Sequence, residues 1–130
     1  MSVAVDHGGS DNRFYLTVFG EVEGKLRSLN NRPIFANIQG GYYLGHLNDK
    51  LGCGLVAWTF IWGNDPDEGH YSSHRYETRI YTLKGAGFEL TLRRISRKKY
   101  NGNGSGSLRE IGINAIDQRR RIPVIKDSLD

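Results

Sequence analysis

The most apolar run in the chain, residues 54–62, constrains the fold more than any other feature. Alternate side chains of an extended strand point to opposite faces, and in the sequence GLVAWTFIW both faces are apolar. One face carries Val56, Trp58, Phe60 and Trp62, and the other carries Leu55, Ala57, Thr59 and Ile61. Because such a strand must be covered on both sides, the run predicts a buried central strand of a layered β fold.

Six further segments combine β-branched and aromatic residues with turn signals between them, which predicts strands. They are residues 13–22, 33–39, 75–83, 88–99, 108–116 and 121–125. The 130 residues show no internal repeat. The sequence therefore predicts a single mainly β domain, residues 1–130, built as an antiparallel sandwich or small barrel of about seven strands.

Two other segments complete the expected organisation. Leu44, Leu47 and Leu51 recur at helical spacing before Gly52, so we expect at most one short helix, at residues 42–51, with a hairpin strand as the alternative. Residues 1–12 are polar and contain glycine, which predicts a flexible arm.

One short motif resembles a known family. The sequence WTFIWGN at residues 58–64, followed by a polar loop and another strand, is similar to a central strand of avidin-type barrels. The resemblance covers this motif and its spacing, and the first strand of that family, with its tryptophan, has no counterpart here. It implies an up-and-down barrel and carries over no ligand-binding residue.

Charge is distributed unevenly along the chain. The net charge is +4, but residues 84–126 contain eleven basic and three acidic residues, a net charge of +8. The remaining residues together carry −4. Such asymmetry favours a polyanionic partner: nucleic acid, an acidic membrane surface or an acidic protein.

The basic residues cluster around residues 88–116, which we predict to be a hairpin with a glycine-rich tip at residues 101–107. Basic side chains bind phosphate through charge-assisted hydrogen bonds, and an adjacent aromatic ring offers a stacking surface. The candidate binding residues are Arg93, Arg94, Arg97, Lys98, Lys99, Tyr100, Arg109, Arg119, Arg120 and Arg121. The alternative is a solvated edge hairpin whose charges prevent aggregation, and an exposed edge could instead pair with a second copy.

A polar loop at residues 63–74 could also carry chemistry. It contains Asp65, Asp67, Glu68, His70 and His74, which are residue types used as metal ligands and as acid–base catalysts. The spacing does not match a calcium loop, and a plain connecting loop is the simpler interpretation. We assign no metal, cofactor or catalytic residue from the sequence.

The compartment is inferred from what the sequence lacks. Cys53 is the only cysteine, which excludes an intramolecular disulfide and a multi-cysteine zinc site. No apolar run has the length of a membrane span, and the first residues do not match a secretory signal. These features favour a cytoplasmic, intracellular protein.

The resulting hypothesis is a non-enzymatic binding module whose basic hairpin engages nucleic acid or an acidic protein. Small glycine-rich proteins of this kind are common among virus- or phage-encoded accessory, inhibitor and structural proteins. The alternative is a small-molecule-binding barrel with an aromatic pocket. Its walls would be Tyr42, Tyr43, Trp58, Trp62, Tyr76 and Tyr81. A hydrolase or nuclease that uses His70 and His74, with or without a metal, is the third hypothesis.

Overall fold

Eight antiparallel strands and one short helix make up the described part of the fold. The computed structural model describes residues 2–8, 13–37, 40–69 and 71–114. The first sheet contains β1 (Ser2–Gly8), β2 (Arg13–Val22), β3 (Lys25–Ser28) and β4 (Ile34–Asn37). The second contains β5 (Gly41–Asn48), β6 (Gly52–Ile61), β7 (Arg75–Lys84) and β8 (Gly87–Ile95), and a 3-10 helix follows at Ser105–Ile111.

The two sheets have different topologies. In the first sheet β2 is central, with β1 along one side and β3 and β4 along different parts of its length. In the second sheet the order is β5-β6-β7-β8, a simple antiparallel meander in which β8 lies at an edge. In the described part of the chain the strands form two separate sheets and no closed barrel. This confirms the sandwich, and the barrel implied by the avidin-type resemblance is wrong.

The apolar run forms β6, the central strand that it predicts. β6 pairs with β5 on one side and with β7 on the other. Leu55 and Ala57 face the first sheet, whereas Val56 and Trp58 face the opposite side, and all four are buried. The strand is apolar on both faces because both faces of the second sheet are covered.

The first core fills the space between the two sheets. Its buried members are Val3, Leu16, Val18, Leu29, Ile34, Tyr42, Leu44, Leu55 and Ala57. The sheets are also joined by a backbone hydrogen bond of 2.6 Å from the Phe88 N–H to the Leu29 carbonyl.

The second core lies on the other face of the second sheet, beneath the segment that contains the 3-10 helix. Its buried members are Leu47, Val56, Trp58, Tyr76, Ile80, Leu108 and Ile113. Trp58 Nε1 donates a hydrogen bond to the Asn103 carbonyl at 2.8 Å, and the Tyr76 hydroxyl donates one to the Gly102 carbonyl at 3.0 Å. Since Tyr42, Trp58 and Tyr76 are core residues, they do not line the open aromatic pocket of the small-molecule hypothesis.

The short helix expected at residues 42–51 is wrong, and its hairpin-strand alternative is correct. This stretch is β5, followed by a tight turn into β6. A β-bulge between His46 and Asn48 interrupts the alternation. Positions three apart on a strand point to opposite faces, so Leu44 packs in the first core while Leu47, together with Leu51, packs in the second, and their helical spacing does not reflect one shared face.

The predicted hairpin at residues 88–116 also needs correction. β8 pairs with β7 through a turn at residues 85–86, and the expected return strand at residues 108–116 is replaced by the 3-10 helix over its first part. A 3-10 helix has three residues per turn, so Leu108 and Ile111 lie on one side, and both pack in the second core. The glycine-rich segment thus leads into this helix, which begins at Ser105, and is not a hairpin tip.

Two other expectations concern the ends of the chain, and a third concerns membrane spans. Residues 2–8 of the predicted flexible arm form β1, whose seven residues all pair with β2. The strand predicted at residues 121–125 lies outside the described residues. In the described ranges, no helix is long and apolar enough to cross a membrane.

Candidate functional site

The basic residues predicted to bind a partner begin on the edge strand β8, with Arg93 and Arg94, and continue beyond its end. After Ile95, the Ser96 N–H donates to the Tyr76 carbonyl at 2.8 Å, and Tyr100 and His74 then exchange two backbone hydrogen bonds of 2.8 and 3.1 Å. These bonds continue the pairing of β7 on both sides of residues 97–99. We call residues 97–99 the basic loop, because they are Arg97, Lys98 and Lys99 and all three are exposed.

The carboxylate of Glu110, on the 3-10 helix, holds the basic loop in place. It accepts hydrogen bonds from the backbone N–H of Arg97 at 2.8 Å, the backbone N–H of Lys98 at 3.3 Å and the Tyr100 hydroxyl at 2.5 Å. Burial by itself raises the pKa of Glu110, but these hydrogen bonds and the Arg94 guanidinium outweigh it and lower the pKa below its ordinary value. An ionised carboxylate thus fixes the backbone from which the basic side chains extend.

The cations of this region divide into paired and unpaired groups. Arg93 makes two hydrogen bonds to Glu77, of 2.8 and 3.0 Å, and Arg94 lies 3.6 Å from Glu110. Within the residues that the structure describes, the exposed side chains of Arg75, Arg97, Lys98, Lys99 and Arg109 form no ion pair. The second group is therefore available to bind an external anion.

The sequence-predicted site residues are only partly brought together. Glu110 gathers Arg94, Arg97, Lys98 and Tyr100, and Arg109 is exposed on the 3-10 helix beside it. Arg93 points to the sheet face shared with Glu77 and Arg79. The predicted residues Arg119, Arg120 and Arg121 lie outside the described residues.

A cleft of about 380 Å³ opens next to the basic loop. It lies at the end of the second sheet where β6 ends, β7 begins and β8 ends. The side chains that matter for its chemistry are Trp62, Glu68, Arg75, Ile95 and Lys99. Lys99 belongs to both the cleft and the basic loop, so the two form one continuous surface.

Trp62 is half exposed, at 50%, yet its indole is held by two other rings. Its ring centroid lies 5.3 Å from that of Phe60 and 5.3 Å from that of His74, both in edge-to-face geometry. Phe60 and His74 in turn pack against each other at 4.7 Å. Edge-to-face contacts between rings are favourable, so the orientation of the indole is fixed by its neighbours.

The polar loop at residues 63–74 supports this aromatic cluster. The Glu68 carboxylate accepts a hydrogen bond from the Gly63 N–H, and its other oxygen lies 3.3 Å from His74 Nδ1. The side chains of Glu68 and His74 are 4% and 1% exposed. The loop is thereby folded back against the end of β6, next to Trp62.

The described residues of the loop do not gather into the metal cluster that their residue types suggested. Among the described residues, no three His, Cys, Asp or Glu side chains are grouped closely enough to hold a metal ion. His70 lies outside the described residues. Glu68 and His74 are buried structural partners, and His46 lies elsewhere on β5, 3.5 Å from Asp49.

Sequence analysis missed two elements of this surface. Glu110 entered the sequence analysis only as one of the three acidic residues in the charge count of residues 84–126, although its carboxylate organises the basic loop. Arg75 was not selected, although it lies directly opposite Ile61 in the β6–β7 pairing and lines the same cleft as Trp62. The sequence did contain a signal for Arg75, because the polar loop between two antiparallel strands brings the end of the first strand beside the start of the second.

Comparisons with protein-family models, with curated proteins and with solved structures found no match for this chain.

Proposed function

We propose that this protein is a non-enzymatic module that binds nucleic acid through its phosphate backbone, with the basic loop as the main contact. The observation that carries the proposal is the Glu110 anchor. It uses the backbone N–H groups of Arg97 and Lys98 and leaves their side chains exposed and without ion pairs within the described residues. A loop fixed in this way presents its charges without a large entropic cost on binding.

The local charge supports an anionic ligand. Six cations surround the site: Arg75, Arg94, Arg97, Lys98, Lys99 and Arg109. The carboxylates nearby are Glu68 and Glu110, and each is engaged in hydrogen bonds or ion pairs within the protein. The surface therefore keeps a net positive charge, which attracts phosphate and releases counterions when nucleic acid binds.

The division of the cations suggests distinct roles. Arg97, Lys98 and Lys99 donate to phosphate oxygens, and exposed Arg109 on the neighbouring helix extends the basic surface. Arg94 also donates to the Glu110 carbonyl at 3.4 Å, so it supports the anchor itself. These contacts recognise the charge of the phosphates and not the identity of the bases, so the proposed binding does not depend on the nucleotide sequence.

The test is a titration of fluorescent oligonucleotide at several salt concentrations. The double variant Arg97→Gln/Lys98→Gln removes two charges and keeps both backbone N–H groups that Glu110 binds. We expect its affinity at low salt to fall at least about tenfold, which corresponds to about 1.4 kcal/mol. The slope of log K against log salt should become shallower by about 0.7 for each phosphate of a single strand that the variant no longer neutralises.

The matched control is Lys25→Gln/Arg27→Gln, which removes the same charge from exposed β3 on the first sheet. It should bind like the wild type. If both double variants bind alike, the basic loop is not the interface and the proposal is wrong. If polyglutamate binds as tightly as the oligonucleotide, an acidic protein surface is the better assignment of the partner.

A further inference from the structure

We infer that the cleft beside the basic loop receives one unpaired nucleobase, stacked on Trp62, with the adjoining phosphates on Arg75 and Lys99. This inference rests on the proposed function and narrows it to single-stranded nucleic acid. The observation behind it is that one cleft contains the half-exposed indole of Trp62 and two exposed cations, Arg75 and Lys99.

The Trp62 indole is suited to stacking because it is fixed before any ligand arrives. Phe60 and His74 contact it in edge-to-face geometry, and the loop behind them is held by Glu68. Contact between the exposed part of a large aromatic ring and water is unfavourable, so covering that part with a planar ligand lowers the free energy of the complex. Because the ring is already fixed, binding loses little side-chain entropy.

The cleft has the size and composition of a site for part of a polyanion. Its volume of about 380 Å³ lies within the range of small-ligand sites. Half-exposed Ile95 adds apolar surface, while Arg75 and Lys99 supply positive charge at the same opening. A ring for the base together with cations for the phosphates is the combination found in proteins that bind single strands.

Among the described residues that line the cleft, the one acidic side chain, Glu68, does not oppose this assignment. Both oxygens of the Glu68 carboxylate are directed at protein groups, one at the Gly63 N–H and the other at His74 Nδ1. With only 4% of the side chain exposed, Glu68 acts as a positioning residue for the loop.

The position of Lys99 links the cleft to the proposed interface. Lys99 is the last residue of the basic loop, so a strand whose phosphates lie along Arg97 and Lys98 reaches the cleft at its next nucleotide. In a duplex the bases are stacked on one another and are not available to Trp62. The cleft therefore favours single-stranded over double-stranded nucleic acid.

The experiment compares two ligands with equal charge: a short oligodeoxyadenylate and an abasic oligonucleotide of the same length. Base–aromatic stacking contributes about 1–3 kcal/mol per base, so the wild type should bind the base-bearing ligand about 5- to 150-fold more tightly. Trp62→Leu keeps an apolar contact for Phe60 and His74 but has no aromatic face. This variant should lose most of the preference and keep its affinity for the abasic ligand, whereas Trp62→Phe should retain part of the preference.

Folding of both variants is checked by the fluorescence of Trp58, which is 2% exposed and is then the remaining tryptophan. If wild type and Trp62→Leu prefer the base-bearing ligand equally, the inference is wrong while the proposed function stands. If neither ligand binds at low salt, the proposed function fails and the inference fails with it. If binding depends on Trp62 but not on salt, the phosphate contacts of both proposals are wrong.

Discussion

The carboxylate of Glu110 accepts a hydrogen bond of 2.8 Å from the backbone N–H of Arg97, thirteen residues earlier in the chain. It connects the 3-10 helix to the basic loop, across a segment that is itself packed on the second sheet. The negative charge of Glu110 is therefore used to fix backbone rather than to neutralise the Arg97 side chain. An acidic residue within a basic segment thus increases the order of the cationic surface.

Removal of this anchor should destabilise the protein. In Glu110→Ala, two backbone N–H groups and the Tyr100 hydroxyl lose an ionised acceptor, and we expect the free energy of unfolding to fall by about 1–3 kcal/mol. Urea denaturation measures the change. The control is Glu89→Ala, whose 3.6 Å ion pair with Lys84 is well exposed and should contribute less than about 1 kcal/mol. Equal losses in the two variants would show that Glu110 is not an anchor.

The lowered pKa of Glu110 predicts a specific acid dependence. A carboxyl whose pKa is lower in the folded state adds stability above its unfolded pKa, about 4.3, and loses it as the pH falls through the folded pKa. Glu110→Gln removes this titration. Between about pH 5 and pH 3, the stability of the variant should therefore fall less steeply than that of the wild type, as measured by urea unfolding at each pH. Parallel curves would contradict the prediction.

Much of the fold could be predicted because alternation and apolar runs report directly on burial. The apolar run at residues 54–62 identified β6, and residues 13–22 have the bounds of β2. Two failures, the helix at residues 42–51 and the return strand at residues 108–116, share a cause: both faces of the second sheet are covered. In β5, apolar residues therefore occur on both faces: Leu44 packs in the first core and Leu47, three positions later, packs in the second, which produced a false helical spacing.

The candidate site was predictable in composition but not in arrangement. The high number of basic residues between positions 93 and 99 identified this segment from the sequence, and the segment does lie at an edge of the sheet. Their organisation depends on contacts distant in sequence: Glu110 with the basic loop, and Trp62 with Arg75 across a connecting loop. Such pairings follow from the strand register and from the helix packed on the second sheet, which no local pattern specifies.

Two glycines before the 3-10 helix differ in how strongly an alanine substitution should destabilise the protein. Gly102 and Gly104 both have left-handed backbone angles, φ +66° and +73°. A Cβ at Gly104 would overlap the ring of Tyr76, whereas none of the surrounding atoms approaches within 4 Å of one at Gly102. Gly102→Ala should cost about 1–2 kcal/mol from backbone strain alone, and Gly104→Ala about 1–3 kcal/mol more from overpacking. Thermal denaturation compares the two variants, and equal unfolding midpoints would contradict the close packing of Gly104 against the Tyr76 ring.

Asn30 completes the first sheet where β3 ends and β4 has not begun. Its Oδ1 accepts a hydrogen bond from the buried Val18 N–H at 2.7 Å, and its Nδ2 donates to the Leu16 carbonyl at 3.2 Å. Asn30→Ala should lower the free energy of unfolding by about 1–3 kcal/mol, because it leaves a buried N–H without a partner. Exposed Asn31→Ala is the control and should change it by less than about 0.5 kcal/mol in the same urea experiment. A cost at Asn31 equal to that at Asn30 would show that Asn30 does not substitute for strand pairing.

The phenol of Tyr76 predicts a loss of stability at alkaline pH. Burial raises its pKa above the ordinary value of 10.0, because the charged form is poorly solvated in the second core. Its contribution is fully present below about pH 10 and is lost as the pH rises through the folded pKa, since only the unfolded chain ionises readily. Tyr76→Phe should therefore show a shallower decline in stability above pH 10, measured by urea unfolding across that range. Tyr71→Phe, at a side chain that is 96% exposed, should retain the decline of the wild type. The same shallow decline in both variants would show that burial of Tyr76 is not its cause.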